Sequence, residues 1–196
     1  TGISRSNAYN SLASMTEKGA AYLVEEASTR KYVPVPLNEF CKNRIRKLEE
    51  SGKWLQEHMP TEKAYVEGYI TIEGAENILN KIKNLLSQVD QRVYISCTRN
   101  YLLLLIRELD TLMEERKKVV IITDQPATFH NAKVYFGENR GMQIGIIADS
   151  KYVLTGEYGE GSMNTCLYSG QKNFVELYKT ALANEIKLLS IREENK

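Results

Sequence analysis

Arg5, Ser6, Asn7 and Asn10 crowd the start of the first helical pattern in this chain. Forked or short hydrogen-bonders at the N-terminal end of a helix are the groups that read base edges in a major groove, since Arg pairs bidentately with guanine and Asn with adenine. Ser4, just before them, is a predicted N-cap, and a helix N-terminus with free hydroxyls suits phosphate oxygens. Thr29, Arg30 and Lys31 form a second, basic set at the tip of a predicted hairpin. Together they give an eight-residue candidate set for double-stranded DNA: Ser4, Arg5, Ser6, Asn7, Asn10, Thr29, Arg30 and Lys31. Taken alone, the Ser-Arg-Ser-Asn string also reads as simple capping plus a solvated helix face.

A third set follows the later strands. Ser96, Thr98, Arg99, Asp124, Asp149 and Glu157 fall in loops where an α/β sheet places ligands, which makes them the candidate effector site. Arg99 with Ser96 and Thr98 suits an anion or a polyol, and Asp124 can accept sugar hydroxyls. The competing reading is loop capping, because Ser, Thr and Asp end strands for backbone reasons. Cys41, Cys97 and Cys166 are far apart and without a Cys-x-x-Cys pair, and His58 and His130 are the only histidines. No disulfide framework, metal site or cofactor is expected from them.

The elements that must position these groups follow from periodicity. Ala8, Tyr9, Leu12, Ala13 and Met15 recur at helical spacing and Lys18-Gly19 ends the pattern. Two short runs, Ala21 to Glu25 and Arg30 to Val35, read as a hairpin, closed by Pro34 and Pro36. Leu37 to Met59 is amphipathic on Leu37, Phe40 or Cys41, Ile45, Leu48, Leu55 and Met59, with an a/d seam of about three heptads before Gly52 loosens it. It reads as a coiled coil, or as a single helix packing on its own domain. Pro60-Thr61 marks a boundary.

Beyond it strands and helices alternate: strand Tyr65 to Ile72, helix Ala75 to Val89, strand Arg92 to Cys97, helix Asn100 to Arg116, strand Lys118 to Thr123. Shorter strands Lys133 to Phe136 and Tyr152 to Leu154 flank another at Met142 to Ala148, and Gln171 to Arg192 closes as a helix. Alternation of this kind predicts an α/β sheet covered by helices. The predicted organisation is residues 1–36, a DNA-reading module; 37–60, a helical linker that pairs in a homodimer; and 61–196, an α/β domain.

Composition supports a globular chain: 42% hydrophobic and 26% charged among 196 residues. Its 26 Lys and Arg nearly cancel 25 Asp and Glu, leaving a net charge of +1, so any nucleic-acid function must be local. The longest strongly apolar run, Tyr101 to Ile106, is too short to cross a bilayer, and the reading is cytoplasmic with no membrane partner. The chain has no Met at its start and opens on Thr1-Gly2-Ile3-Ser4, like the middle of a motif, from which an upstream segment is expected.

Thr1-Gly2-Ile3-Ser4-Arg5-Ser6-Asn7-Ala8-Tyr9, then Leu12, Met15, Glu17-Lys18-Gly19 and Lys31-Tyr32-Val33-Pro34-Val35-Pro36, resembles the second half of the winged-helix domain of the TrmB family of transcriptional regulators. The resemblance implies a partial winged helix-turn-helix, two further helices upstream, operator binding as a dimer, and weak DNA binding by this stretch alone. It also implies a C-terminal domain resembling the phospholipase D fold, with Gly141 to Tyr158 at its signature region. Active members need His-x-Lys-x-x-x-x-Asp. Counting back from Asp149 puts Met142 at the His position and Ile144 at the Lys position, and neither does that chemistry. His130 and Lys133 lack an Asp at the required spacing. Gly161-Ser162-Met163-Asn164 copies a Gly-Ser-x-Asn element but falls later than the family places it, with Gly156 in the expected place, and reads as a turn.

The expectation is therefore a dimeric DNA-binding transcriptional regulator, not an enzyme, with a small-molecule effector, a sugar or an anion, bound in its α/β domain. A phospholipase-D-like phosphodiesterase and a protein-interaction module are the alternatives.

Overall fold

The computed structural model describes residues 2–26, 29–60, 68–126, 129–137, 140–160 and 163–194. The chain divides into two compact units, Thr1–Lys63 and Ala64–Lys196.

In the first unit α1 (Arg5–Glu17) starts where expected: the Ser4 hydroxyl accepts the N–H of Asn7 at 3.3 Å. It stops at Gly19, whose φ of 73° closes a Schellman turn with Gly19 N–H on Thr16 O and Ala20 N–H on Met15 O. β1 (Ala21–Glu26) and β2 (Thr29–Pro34) pair antiparallel from Ala21↔Pro34 to Glu26↔Thr29. Ala27 and Ser28, expected in the hairpin tip, lie outside the described residues. α2 (Leu37–His58) follows, and the Tyr22 hydroxyl donates to Glu39 at 2.5 Å near its start. The helix runs through Gly52, as the single helical pattern Leu37 to Met59 predicts. One glycine costs a helix interior only about 0.5–1 kcal/mol, which the intact turns on either side absorb. Leu37, Ile45, Leu48, Leu55 and Met59 are all exposed in this unit.

The second unit is built on a seven-stranded mixed sheet: β3 (Tyr69–Glu73), β4 (Arg92–Ser96), β5 (Lys118–Thr123), β6 (Ala132–Phe136), β7 (Gln143–Ala148), β8 (Tyr152–Glu157) and β9 (Thr165–Ser169), in spatial order β3-β9-β8-β7-β4-β5-β6. β4, β5 and β6 run parallel and β7, β8, β9 and β3 alternate antiparallel from β4 outward. Period-two alternation sends Val93, Ile95, Ile121, Ile144, Ile146 and Leu154 to one face, under α3 (Ala75–Ser87), α4 (Arg99–Leu103) and α5 (Ile106–Glu114). Val120, Ile122, Ile147 and Val153 go to the other, under α6 (Lys172–Glu194).

Two sequence expectations are corrected here, and one strand is added. The single helix Asn100 to Arg116 is two: the chain tightens after Leu103 into i→i+3 bonds, from Leu104 N–H to Tyr101 O and from Leu105 N–H to Leu102 O, before α5 begins at Ile106. β9 forms at Thr165–Ser169, to which the sequence pattern assigned no element, with Cys166 and Tyr168 alternating onto the first core. β3 is shifted to Tyr69–Glu73; residues 65–67 of the predicted strand lie outside the described residues, as do Gly161 and Ser162 of the Gly-Ser-x-Asn element.

Candidate functional site

β4 and β5 end at Ser96 and Thr123, and the register Ser96↔Gly145 and Gln143↔Glu157 puts the end of β8 at the same edge of the sheet. Of the six candidate effector residues this edge gathers five: Ser96, Thr98, Arg99, Asp124 and Glu157. Asp149 is at the opposite end, in the β7–β8 turn, and its inclusion in the site is corrected. Its carboxylate accepts the backbone N–H groups of Asp90, Gln91 and Arg92 at 2.8, 2.8 and 2.9 Å. His130 is also remote, just before Ala132, which pairs with Val119 at the start of β5.

Asp124 is already employed within the fold. Its Oδ1 accepts the backbone N–H of Arg99 at 2.8 Å, tying the start of α4 to the end of β5. Behind it lies the Cys97 thiol, fully buried and pushed up to about 12 by that burial and by the Asp124 charge, which makes it inert as a nucleophile.

The two residues that do open onto a cavity are Ser96 and Glu157. Alternation points Ser96, Gln143, Gly145, Thr155 and Glu157 at the α6 face, where with Tyr178, Ala181, Leu182 and Glu185 of α6 they line a cleft of about 410 Å³. Arg140, from the β6–β7 connection, completes it. This side chain is only 9% exposed; Nη1 donates to Ser96 Oγ at 2.5 Å and Nη2 to the Glu185 carboxylate. Its Nε is buried with no hydrogen-bond partner among the described residues. Gly137 makes room for it, since a Cβ there would strike the guanidinium. Gly145 does the same for Tyr178, whose ring would lie 3.2 Å from an added Cβ and whose hydroxyl pairs with Thr155. Burial holds that phenol above the ordinary range.

Arg140, Gln143, Tyr178 and Glu185 were not legible as a site. A Gly-x-x-Arg-Gly loop reads as a turn, and Tyr178 and Glu185 read as helix core and helix surface. Near the same end of the sheet, on the other face, Met142 approaches Gly159 beside the edge-to-face pair Tyr101 and Tyr158, while Ile144 is 2% exposed in the core.

In the first unit Ser4, Arg5, Ser6, Asn7 and Asn10 are all exposed, and the Arg5 guanidinium lies over the Tyr9 ring at 5.9 Å. Arg30 is not a free basic tip: its Nε donates to Glu25 at 3.0 Å across the hairpin. Lys31 is exposed, and the Thr29 side chain lies outside the described residues. Among the described residues no group of His, Cys, Asp and Glu is placed to hold a metal ion, and no helix is long and apolar enough to cross a membrane.

No protein-family model matches the chain. Over 139 residues it is 29% identical to the uncharacterized protein YrhO of Bacillus subtilis (strain 168), covering 69% of this chain and 50% of that one. The chain thus spans about half the length of the curated relative it matches. Among solved structures it is similar to TrmBL2, an archaeal chromatin protein with a novel mode of DNA binding, with a TM-score of 0.53 and 16% identity over 94% of this chain and 82% of that one. That likeness is one of fold. NucT from Helicobacter pylori covers 61% of this chain and 97% of its own at 16% identity and a TM-score of 0.49. Nuc from Salmonella typhimurium, a phospholipase D family member, covers 60% and 92% at 10% and 0.46. The expectation that the chain is not an enzyme is corrected, since the solved structures it is similar to include enzymes. Met142 and Ile144 show only that two positions of one catalytic pattern are changed.

Proposed function

We propose that this chain is the reading and sensing part of a DNA-binding transcriptional regulator. α1 presents Arg5, Ser6, Asn7 and Asn10 to the major groove, with Ser4 and the hairpin residues Thr29, Arg30 and Lys31 on phosphate. α2 pairs with α2 of a second copy, and the second unit binds a small effector in the cleft beneath α6. Residues 1–36, 37–60 and 61–196 are the three functional segments of this reading. The observation that carries it is the exposed polar face of α1, capped at Ser4 and followed at once by a hairpin, in a chain whose fold follows a DNA-binding protein over 94% of its length.

Fluorescence anisotropy on labelled duplex DNA tests it, using the protein as the cell makes it. Binding that weakens steeply with salt and prefers one sequence over competitor DNA is expected. Absence of any salt-dependent binding sinks the reading.

A further inference from the structure

A guanidinium carries five N–H donors and is charged at all working pH values. Only two bonds to Arg140 are formed among the described residues, to Ser96 and Glu185, and Nε has none, although the side chain is nine-tenths buried in the wall of the cleft. A buried cation with donors to spare calls for an acceptor. Yet the same wall carries two carboxylates, Glu157 and Glu185. Glu185 is spoken for by Arg140, and the Glu157 carboxylate has no ion pair among the described residues. Ala181 and Leu182 supply the apolar remainder.

Each simple ligand class leaves part of this wall unanswered. A lone anion satisfies the spare guanidinium donors but meets two carboxylates. A lone cation answers Glu157 and leaves those donors without an acceptor. A polyol accepts from Arg140 but offers Glu157 no counter-charge and sets hydroxyls against two aliphatic side chains. A molecule that carries a carboxylate, an ammonium group and an aliphatic side chain matches every part. At about 410 Å³ the cleft lies toward the small end of the usual range for ligand pockets, about 300–1,000 Å³.

We infer that the cleft beneath α6 binds a small zwitterion of the amino-acid class, its carboxylate on Arg140 and its ammonium group on Glu157. The inference rests on the reading of the second unit as a small-molecule sensor and narrows the ligand of that site.

Thermal unfolding of the whole protein, scanned against the twenty amino acids, acetate, methylammonium and a set of monosaccharides at matched ionic strength, tests both levels. A ligand that binds only the folded state raises the melting temperature in proportion to the logarithm of its concentration. At least one amino acid with an aliphatic side chain is expected to give a saturable rise, with acetate and methylammonium giving none. Glu157→Gln, on an exposed side chain, is expected to weaken that ligand at least tenfold while leaving the unliganded melting temperature unchanged. A rise with monosaccharides or acetate and none with amino acids overturns the zwitterion and leaves the sensor reading standing. No rise with any of them overturns both, and full affinity in Glu157→Gln overturns the assigned ammonium site.

Discussion

Asp149 and Arg92 clasp each other's backbone: the Asp149 carboxylate accepts the Arg92 N–H at 2.9 Å, and the Asp149 N–H donates to the Arg92 carbonyl at 2.9 Å. The same carboxylate takes the N–H groups of Asp90 and Gln91, so one side chain ties the β7–β8 turn to the entry of β4. Asp149 reaches them from a left-handed backbone, φ 50°, that Asn and Asp tolerate best.

That clasp predicts a pH-dependent stability. Burial alone would raise the Asp149 carboxyl, but the N–H groups of Asp90, Arg92 and Gln91, with Lys151 nearby, outweigh it and hold the pKa below the usual carboxylate value. A depressed folded-state pKa contributes stability that is fully present above the unfolded value near ~4 and is lost as pH falls through the folded one. Asp149→Asn keeps the left-handed preference and loses the charge. It is expected to cost about 1–3 kcal/mol at pH 7 by urea unfolding, with the difference from the parent narrowing at acid pH. An undiminished difference at acid pH would show that the charge is not the cause.

Arg5 sets the DNA prediction. If it contacts a base edge, Arg5→Ala costs roughly 1–3 kcal/mol of specific binding and relaxes the preference at one base pair. Arg5→Glu abolishes specific binding, and size-exclusion chromatography shows the oligomer unchanged because the residue lies outside α2. A charge-reversed protein that still binds its operator refutes the assignment.

α2 makes a prediction about pairing. With Ile45, Gly52 and Met59 at a positions, Cys41, Leu48 and Leu55 fall at d, and a parallel in-register pair sets Arg44 of one helix opposite Glu49 of the other. Cys41 is exposed, whereas burial pushes the Cys97 and Cys166 thiols up to about 12 and about 11. Diamide treatment of the native protein is therefore expected to yield a dimer linked through Cys41 alone, and Leu48→Asp to yield monomer. A dimer that persists yet never cross-links in Cys41 excludes the parallel pairing.

Two glycines predict unequal costs. A Cβ on Gly156 would meet the Thr165 carbonyl oxygen and come within 2.7 Å of Cys166 Cα, backbone that can move only by separating β8 from β9. A Cβ on Gly145 would meet the Tyr178 ring at 3.2 Å, a side chain that can tilt. Gly156→Ala should lose about 2–3 kcal/mol or fail to fold, and Gly145→Ala clearly less, by thermal unfolding. Equal losses would mean that β9 yields as easily as a tyrosine ring.

The first unit was nearly complete in the sequence because its determinants are local. Ser4 caps three residues ahead, Gly19 closes the helix five residues after Ser14, and Pro34 and Pro36 stop the hairpin, all without help from distant chain. The strands of the second unit were legible for the same reason, as apolar runs of the right length. Local pattern misled at the tightened turn between α4 and α5, which a continuous apolar run does not announce, and where a weakly apolar strand, β9, is held by partners on both sides.

The sequence by itself determined most element types, the cap at Ser4 and the polar face of α1. Only the tertiary structure decided which loop residues meet. Strand direction and register carry Asp149 to the far end of the sheet and bring Ser96, Glu157, Arg140 and Glu185, separated by up to 89 positions in the chain, around one cleft. Local propensity acts over a few residues along the chain, whereas a binding wall is assembled by strand pairing and helix packing between residues that sequence spacing does not relate.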